Sequence, residues 1–187
     1  MKKAFCVLTF TVLCTIVFAK NFDGYVIKHN NDTMKLVIKV STSQNAKAFR
    51  MVKTLDSSGN LMVYDSSTIK EYGYIEKSRL VKYRLKPLKN GEIYFLRVIA
   101  DGKLAAVYYD PVVGYAAYGS PEIYYTFEKK DSVYLFLKNY DKLSTFIDKL
   151  TSFYKEFPGI SQLIENKFSS RWEIEDDIKE IVNSINK

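Results

Sequence analysis

The sequence predicts an α+β fold in which an antiparallel, hairpin-rich β-sheet or partly closed barrel packs against C-terminal helices. Short runs of β-branched and aromatic residues recur between Gly24 and Lys138, separated by clusters of Asn, Asp, Ser, Gly and Lys that favour turns. At Asp141 the spacing of the apolar residues changes from every second position to every third and fourth, the period of a helix. Between these regions, Glu92 to Asp110 sets two apolar arms around Asp101-Gly102. That dipeptide suits a two-residue type I′ hairpin turn, because both central residues take positive φ.

The chain opens with Lys2 and Lys3, an apolar run from Ala4 to Phe18 and a small-residue cleavage pattern at Val17-Phe18-Ala19. This is the layout of a secretory signal peptide cut after Ala19. Its apolar run is shorter than the roughly 20 residues that a spanning helix needs, so no transmembrane segment is expected in the mature chain. The expected organisation is a signal peptide over 1–19, an antiparallel β domain over 20–140 and a helical segment over 141–187 packed on the sheet as one globular unit. Both cysteines, Cys6 and Cys14, fall in the peptide, which leaves the mature chain without disulfides or thiolate ligands. The formal net charge is +7, and losing Lys2 and Lys3 leaves +5. There is no arginine-rich block, and most lysines alternate with apolar residues as the wet side of strands, a pattern that argues against a nucleic-acid partner.

The first strands are GYVIKH and TMKLVIKV, joined at Asn30-Asn31-Asp32, residue types that tolerate left-handed backbone and supply turn hydrogen bonds. In the second, Met34, Leu36, Ile38 and Val40 form a buried face opposite Lys35, Val37 and Lys39. A second hairpin joins Ala48–Thr54 to Leu61–Tyr64 through Asp56-Ser57-Ser58-Gly59-Asn60. Tyr72 to Lys86 reads as one long extended segment, with Val81, Tyr83 and Leu85 opposite Lys82, Arg84 and Lys86, ended by Pro87. A two-residue loop at Asp101-Gly102 pairs Val98 with Ala105, Arg97 with Ala106 and Ile93 with Asp110. Both faces of this hairpin are then mostly apolar, which places it in the middle of the sheet with both sides covered. The last hairpin spans Glu122–Lys129 and Ser132–Lys138. Three helical stripes follow: Leu143, Phe146, Ile147, Leu150 and Phe153, capped by Asn139 or Asp141; Ile160, Leu163, Ile164 and Phe168 after the Phe157-Pro158-Gly159 break; and Ile174, Ile178, Ile181, Val182 and Ile185 behind a Ser170/Glu173 capping box beside Trp172.

Catalytic chemistry is scarce. His29 is the single histidine and sits at a turn without companions at metal-ligand spacing. No nucleophile elbow, phosphate-binding glycine loop or metal-binding helix motif is present. The reading therefore assigns no catalytic residue, no cofactor and no metal. Glu175, Asp176 and Asp177 are consecutive and read as charge favouring a helix start. Candidate ligand-binding residues are Arg97 and Asp110, the charged members of the central hairpin's less apolar face, with Tyr115 and Tyr118 on the small-residue loop Gly114–Pro121.

The signal peptide, the Gly24-Tyr25-Val26-Ile27 strand, the Asn30-Asn31-Asp32-Thr33 turn, the tyrosine-rich Asp-Gly-Lys hairpin and the terminal helix ending Ile-Val-x-x-Ile-Asn resemble a group of uncharacterised exported β-rich proteins of Gram-negative bacteria. The resemblance implies export and a β-rich fold, and carries no activity onto any residue. The function expected is that of a periplasmic or surface-associated, non-catalytic binding or assembly module. Its partner would be an envelope protein, glycan or lipid, with contact to a membrane surface included. The alternative is an enzyme acting on cell-envelope polymers through carboxylates such as Asp110 and Glu122.

Overall fold

The computed structural model describes residues 19–41, 49–110, 124–138, 141–168 and 174–187. The predicted signal peptide, the tyrosines of the Gly114–Pro121 loop, Glu122, Trp172 and the Ser170/Glu173 capping box lie outside the described residues, apart from Ala19, where the first strand begins. Among the described residues, ten strands run in two meanders. The first is β1 (Ala19–Lys28), β2 (Thr33–Ser41), β3 (Met51–Leu55) and β4 (Leu61–Asp65). The second is β5 (Ile69–Glu76), β6 (Arg79–Pro87), β7 (Ile93–Ala100), β8 (Ala105–Asp110), β9 (Tyr124–Lys129) and β10 (Val133–Lys138). They join through an antiparallel β1–β5 pairing, giving one sheet in the order β10-β9-β8-β7-β6-β5-β1-β2-β3-β4.

Local chemistry sets the first turns. Asn31 takes φ 72° between β1 and β2, and Gly59 takes φ 81° between β3 and β4. The Asp56 carboxylate accepts from the backbone N–H of Ser58 and Asn60 and from the Asn60 side chain, closing that loop on itself.

The β4–β5 connection dictates the shape of the first half. Only Ser66, Ser67 and Thr68 separate the two strands, although β3, β2 and β1 stand between them in the sheet order. Four links of chain reach about 14 Å, whereas four strand spacings in a flat sheet cover about 19 Å. The sheet must therefore curl until β4 comes round toward β5. The inward face of the curl is filled by Val26, Ile38, Val52, Tyr64, Ile69, Tyr72, Tyr74 and, from β7, Phe95. Side-chain contacts tie this connection and β5 to the β1–β2 turn, with His29 Nε2 3.0 Å from the Ser66 carbonyl and Lys70 donating to Asn31, while the sheet stays open between β4 and β10. The turn before β3 reaches β7 as well: the Arg50 Nε donates to the Tyr94 hydroxyl at 2.8 Å, and Phe49 packs with Leu88, Tyr94 and Leu96.

The expected single segment from Tyr72 to Lys86 is two strands. They turn at Lys77-Ser78, where φ is 48° and 62°, and Ile75 faces Leu80 across the hairpin. Both residues have a Cβ in the left-handed region, which costs roughly 1–2 kcal/mol at each position. Changing Lys77-Ser78 to Asn-Gly should therefore raise the unfolding free energy by about 1 kcal/mol, measured by urea denaturation.

The central hairpin forms, but not through a two-residue turn. β7 ends at Ala100 and β8 begins at Ala105, and the register is Arg97↔Tyr109, Val98↔Tyr108 and Ala100↔Val107, with a bulge between Val98 and Ala100. Tertiary partners override the turn propensity here. Asp101 is drawn to Arg84, whose guanidinium donates to both carboxylate oxygens at 2.8 Å. Gly102 lies against the Asn186 side chain so closely that any Cβ would collide with it. Asn186 then behaves as a strand neighbour for β8. Its Oδ1 accepts from Leu104 N at 2.8 Å and from Ala105 N at 3.2 Å, and its Nδ2 donates to the Ala105 carbonyl at 2.8 Å.

Helices α1 (Leu143–Phe153), α2 (Ile160–Lys167) and α3 (Ile174–Ile185) cover one face of the second meander. The predicted stripes point inward: Phe146, Leu150, Ile164, Ile178, Ile181 and Val182 are buried against Val107, Phe127 and Leu137 of the sheet. At the start of α1 the capping position is Lys142 rather than Asp141, which instead lies 3.4 Å from Lys149. The expected two-sided burial of the hairpin holds. Val107 faces the helices, Phe95 enters the curl, and Leu96 and Tyr108 fill a third cluster on the opposite face.

A polar cleft on the face opposite the helices

Side chains on the face of the sheet away from the helices form a charged network drawn from six strands. Tyr25 on β1 donates to Glu71 Oε1 at 2.9 Å, and Glu71 Oε2 accepts from Arg84 Nε at 2.8 Å. Arg84 continues to Asp101 through its bidentate fork, with Lys82 3.4 Å from the same carboxylate. Further along, Glu128 on β9 accepts from Lys86 at 2.8 Å, from Tyr108 at 2.7 Å and from Tyr134 at 3.1 Å. The Lys86 ammonium also sits 5.0 Å from the Tyr108 ring centre and 5.8 Å from that of Tyr134.

Alternation along β6 explains the arrangement. Lys82, Arg84 and Lys86 share one face, and the register brings Arg84 directly beside Glu71. Because β8 and β9 pair Ala106 with Glu128, and Tyr108 with Thr126, the small alanine leaves room for Lys86 to reach the Glu128 carboxylate. The electrostatics follow the contacts. Burial pushes the Asp101 carboxyl up, but the hydrogen bonds and charge of Arg84, with Lys82, outweigh it and hold the group below the usual carboxylate range. Burial, with the bond to Glu128, pushes the Tyr108 hydroxyl well above its ordinary value, so it stays a neutral donor.

Where this network meets the turns, a polar cleft of about 240 Å³ opens between Asp101–Leu104 and Lys129–Ser132. Among the described side chains, Arg84, Lys86, Lys103, Lys129 and Lys130 line it against two carboxylates, Asp101 and Glu128, an excess of three positive charges. Arg84, Lys86 and Lys129 already have anionic partners, the last in Glu156 at 2.8 Å. Lys103 and Lys130 are exposed at the rim, and neither has an ion-pair partner among the described residues. A backbone bond from Lys130 N to the Leu104 carbonyl, 3.0 Å, ties the two walls together.

The residues singled out by sequence lie elsewhere. Arg97 lies on the helix-covered side, donating to Glu175 on α3 at 2.9 Å with its guanidinium 4.9 Å from the Tyr109 ring centre. Its neighbour across the hairpin is Tyr109 and not Ala106. Glu175, read from sequence as helix-start charge, pairs with Arg97 and with Lys179, and it helps push the buried Tyr125 hydroxyl up to about 12, after burial itself. Asp110 is the last residue of β8, paired along the backbone with Tyr124. Tyr115, Tyr118 and Glu122 lie outside the described residues. The cleft residues escaped notice because the alternation that marks Lys82, Arg84 and Lys86 as a face does not say whether the face is wet. Comparison with protein-family models, with curated proteins and with solved structures finds no match for this chain.

Proposed function

We propose that the chain is an exported, non-catalytic binding module whose cleft takes an acidic group, a carboxylate or sulfate, carried by a cell-envelope glycan. The observation that carries the reading is the excess of lysine around the cleft, with Lys103 and Lys130 exposed at its mouth and free to close on an anion. The fixed charges beneath them are already paired, so the network acts as a rigid floor and the two lysines supply the added attraction. The N-terminal export pattern supports a glycan of the envelope as its source.

The carboxylate-enzyme alternative draws no support from the cleft. A general acid must hold its proton near neutral pH, and Asp101 is displaced in the other direction. Glu128 accepts three hydrogen bonds, from Lys86, Tyr108 and Tyr134, which favour its charged form and hold it as a fixed acceptor.

Titration with a uronic-acid oligosaccharide, followed by amide NMR, is expected to shift Leu104, Ala105 and Lys130. The double change Lys103→Ala with Lys130→Ala should weaken binding by roughly tenfold or more, since each ammonium–anion contact contributes about 1 kcal/mol. Shifts confined to other surfaces, or affinity unchanged in the double variant, would reject the site.

A further inference from the structure

The outer face of β2, β3 and β4 carries aliphatic side chains that the fold does not use. Register places Val37, Leu55 and Leu61 in one row and Lys39, Lys53 and Val63 in the next, with Met51 beyond. Leu61 is 55% exposed, Val63 53% and Met51 37%. Their neighbours on the same strands, Ile38, Val52 and Tyr64, point into the curl and fill its interior. The outward set therefore adds nothing to that core. Exposed aliphatics grouped in this way mark a surface with a partner. Lys39 and Lys53 interrupt the patch, and neither has an ion-pair partner among the described residues.

We infer that this face docks on an anionic lipid surface. The combination fits the boundary of such a bilayer: leucine, valine and methionine enter the level between headgroups and acyl chains, while the lysines stay with the phosphates. The patch lies on the outside of the curl, where a deformable lipid surface can follow it. Charge also selects against a second copy of the chain. A two-fold contact centred on Lys39 and Lys53 would set these lysines of one copy near those of the other, with the carboxylates Asp23 and Asp65 only at the edges of the patch. The inference is separate from the cleft, which involves none of these residues.

The test is sedimentation of the full chain with vesicles of equimolar phosphatidylglycerol and phosphatidylcholine, beside vesicles of phosphatidylcholine alone. Because residues 1–18 are common to every variant, ratios between variants read the patch. Leu61→Ser with Val63→Ser is expected to lower partitioning into the anionic vesicles by about tenfold. Lys39→Glu with Lys53→Glu should do so by at least as much, and only on the anionic vesicles. The control Ile93→Ser with Val133→Ser removes two exposed aliphatics of the other meander and should leave partitioning unchanged. Circular dichroism verifies that each variant is folded, and conservative Lys39→Arg with Lys53→Arg should restore binding if the charge reversals perturb the strands. Equal partitioning of the patch variants and the control would overturn the inference. So would concentration-dependent dimers in sedimentation velocity that vanish with Leu61→Ser and Val63→Ser while vesicle binding does not change.

Discussion

Replacing Phe127 with alanine is expected to lower the unfolding free energy by about 3–5 kcal/mol, the range for deleting a fully buried ring and leaving a partly collapsed cavity. Phe127 has no solvent exposure. Its ring meets Phe146 on α1 edge-on at 6.1 Å and Tyr154 at 6.4 Å, so it joins the sheet to the helices that cover it. The cavity would open between the two layers, where no flexible surface chain can fold in. Urea denaturation followed by tyrosine fluorescence and by far-ultraviolet circular dichroism should show one earlier transition for both probes. A shift below about 1 kcal/mol would mean that the helices do not depend on this contact.

Arg84→Ala should cost about 2–4 kcal/mol, because it leaves Glu71 and Asp101 with two partly buried carboxylates and no guanidinium between them. Glu71 is only 7% exposed, whereas Asp101 keeps partial contact with water, which tempers the loss. The effect has a direction in pH. Asp101 titrates lower in the folded chain than its unfolded value of about 3.9, so its pairing stabilises the fold above that pH and is lost as pH falls through the lowered folded value. The gap between wild type and Arg84→Ala should therefore be full at pH 7 and shrink below about pH 4. Arg84→Lys should fall between the two, since a single ammonium keeps the charge without the fork that spans both carboxylates. Denaturation curves at pH 7 and pH 3 separate this outcome from simple loss of packing, which would be pH-independent.

The strands and helices were legible where local chemistry decides. Asn30-Asn31-Asp32, Asp56–Asn60 and Pro87 mark turns because their side chains or missing N–H leave few alternatives, and the stripe from Ile174 to Ile185 describes the buried face of α3 residue by residue. The Lys77-Ser78 turn was not legible, since neither residue favours positive φ and the strands on either side read as one. Nor was the register of the central hairpin. With apolar residues on both of its faces, no alternation chooses between pairings, and the bulge before Ala100 depends on Arg84 and Asn186, which are distant in sequence. The cleft was hidden for the same reason. Arg84, Asp101 and Glu128 come together only after β6, β8 and β9 have found their neighbours, and as isolated residues they look like ordinary surface charge. Arg97 drew notice as a charge among apolar residues, and its partner, Glu175, lies 78 positions away.

The Asn186 contact has a consequence for the order of events in folding. The backbone N–H groups of Leu104, just before β8, and of Ala105, its first residue, wait for an acceptor that lies 82 and 81 positions later in the chain. A nascent chain can form the first meander and most of the second by closing short loops, but the opening of β8 remains hydrated until α3 has docked. Hydrogen exchange at those two amides should therefore report the arrival of the last helix, with protection lagging that of the β6–β7 ladder.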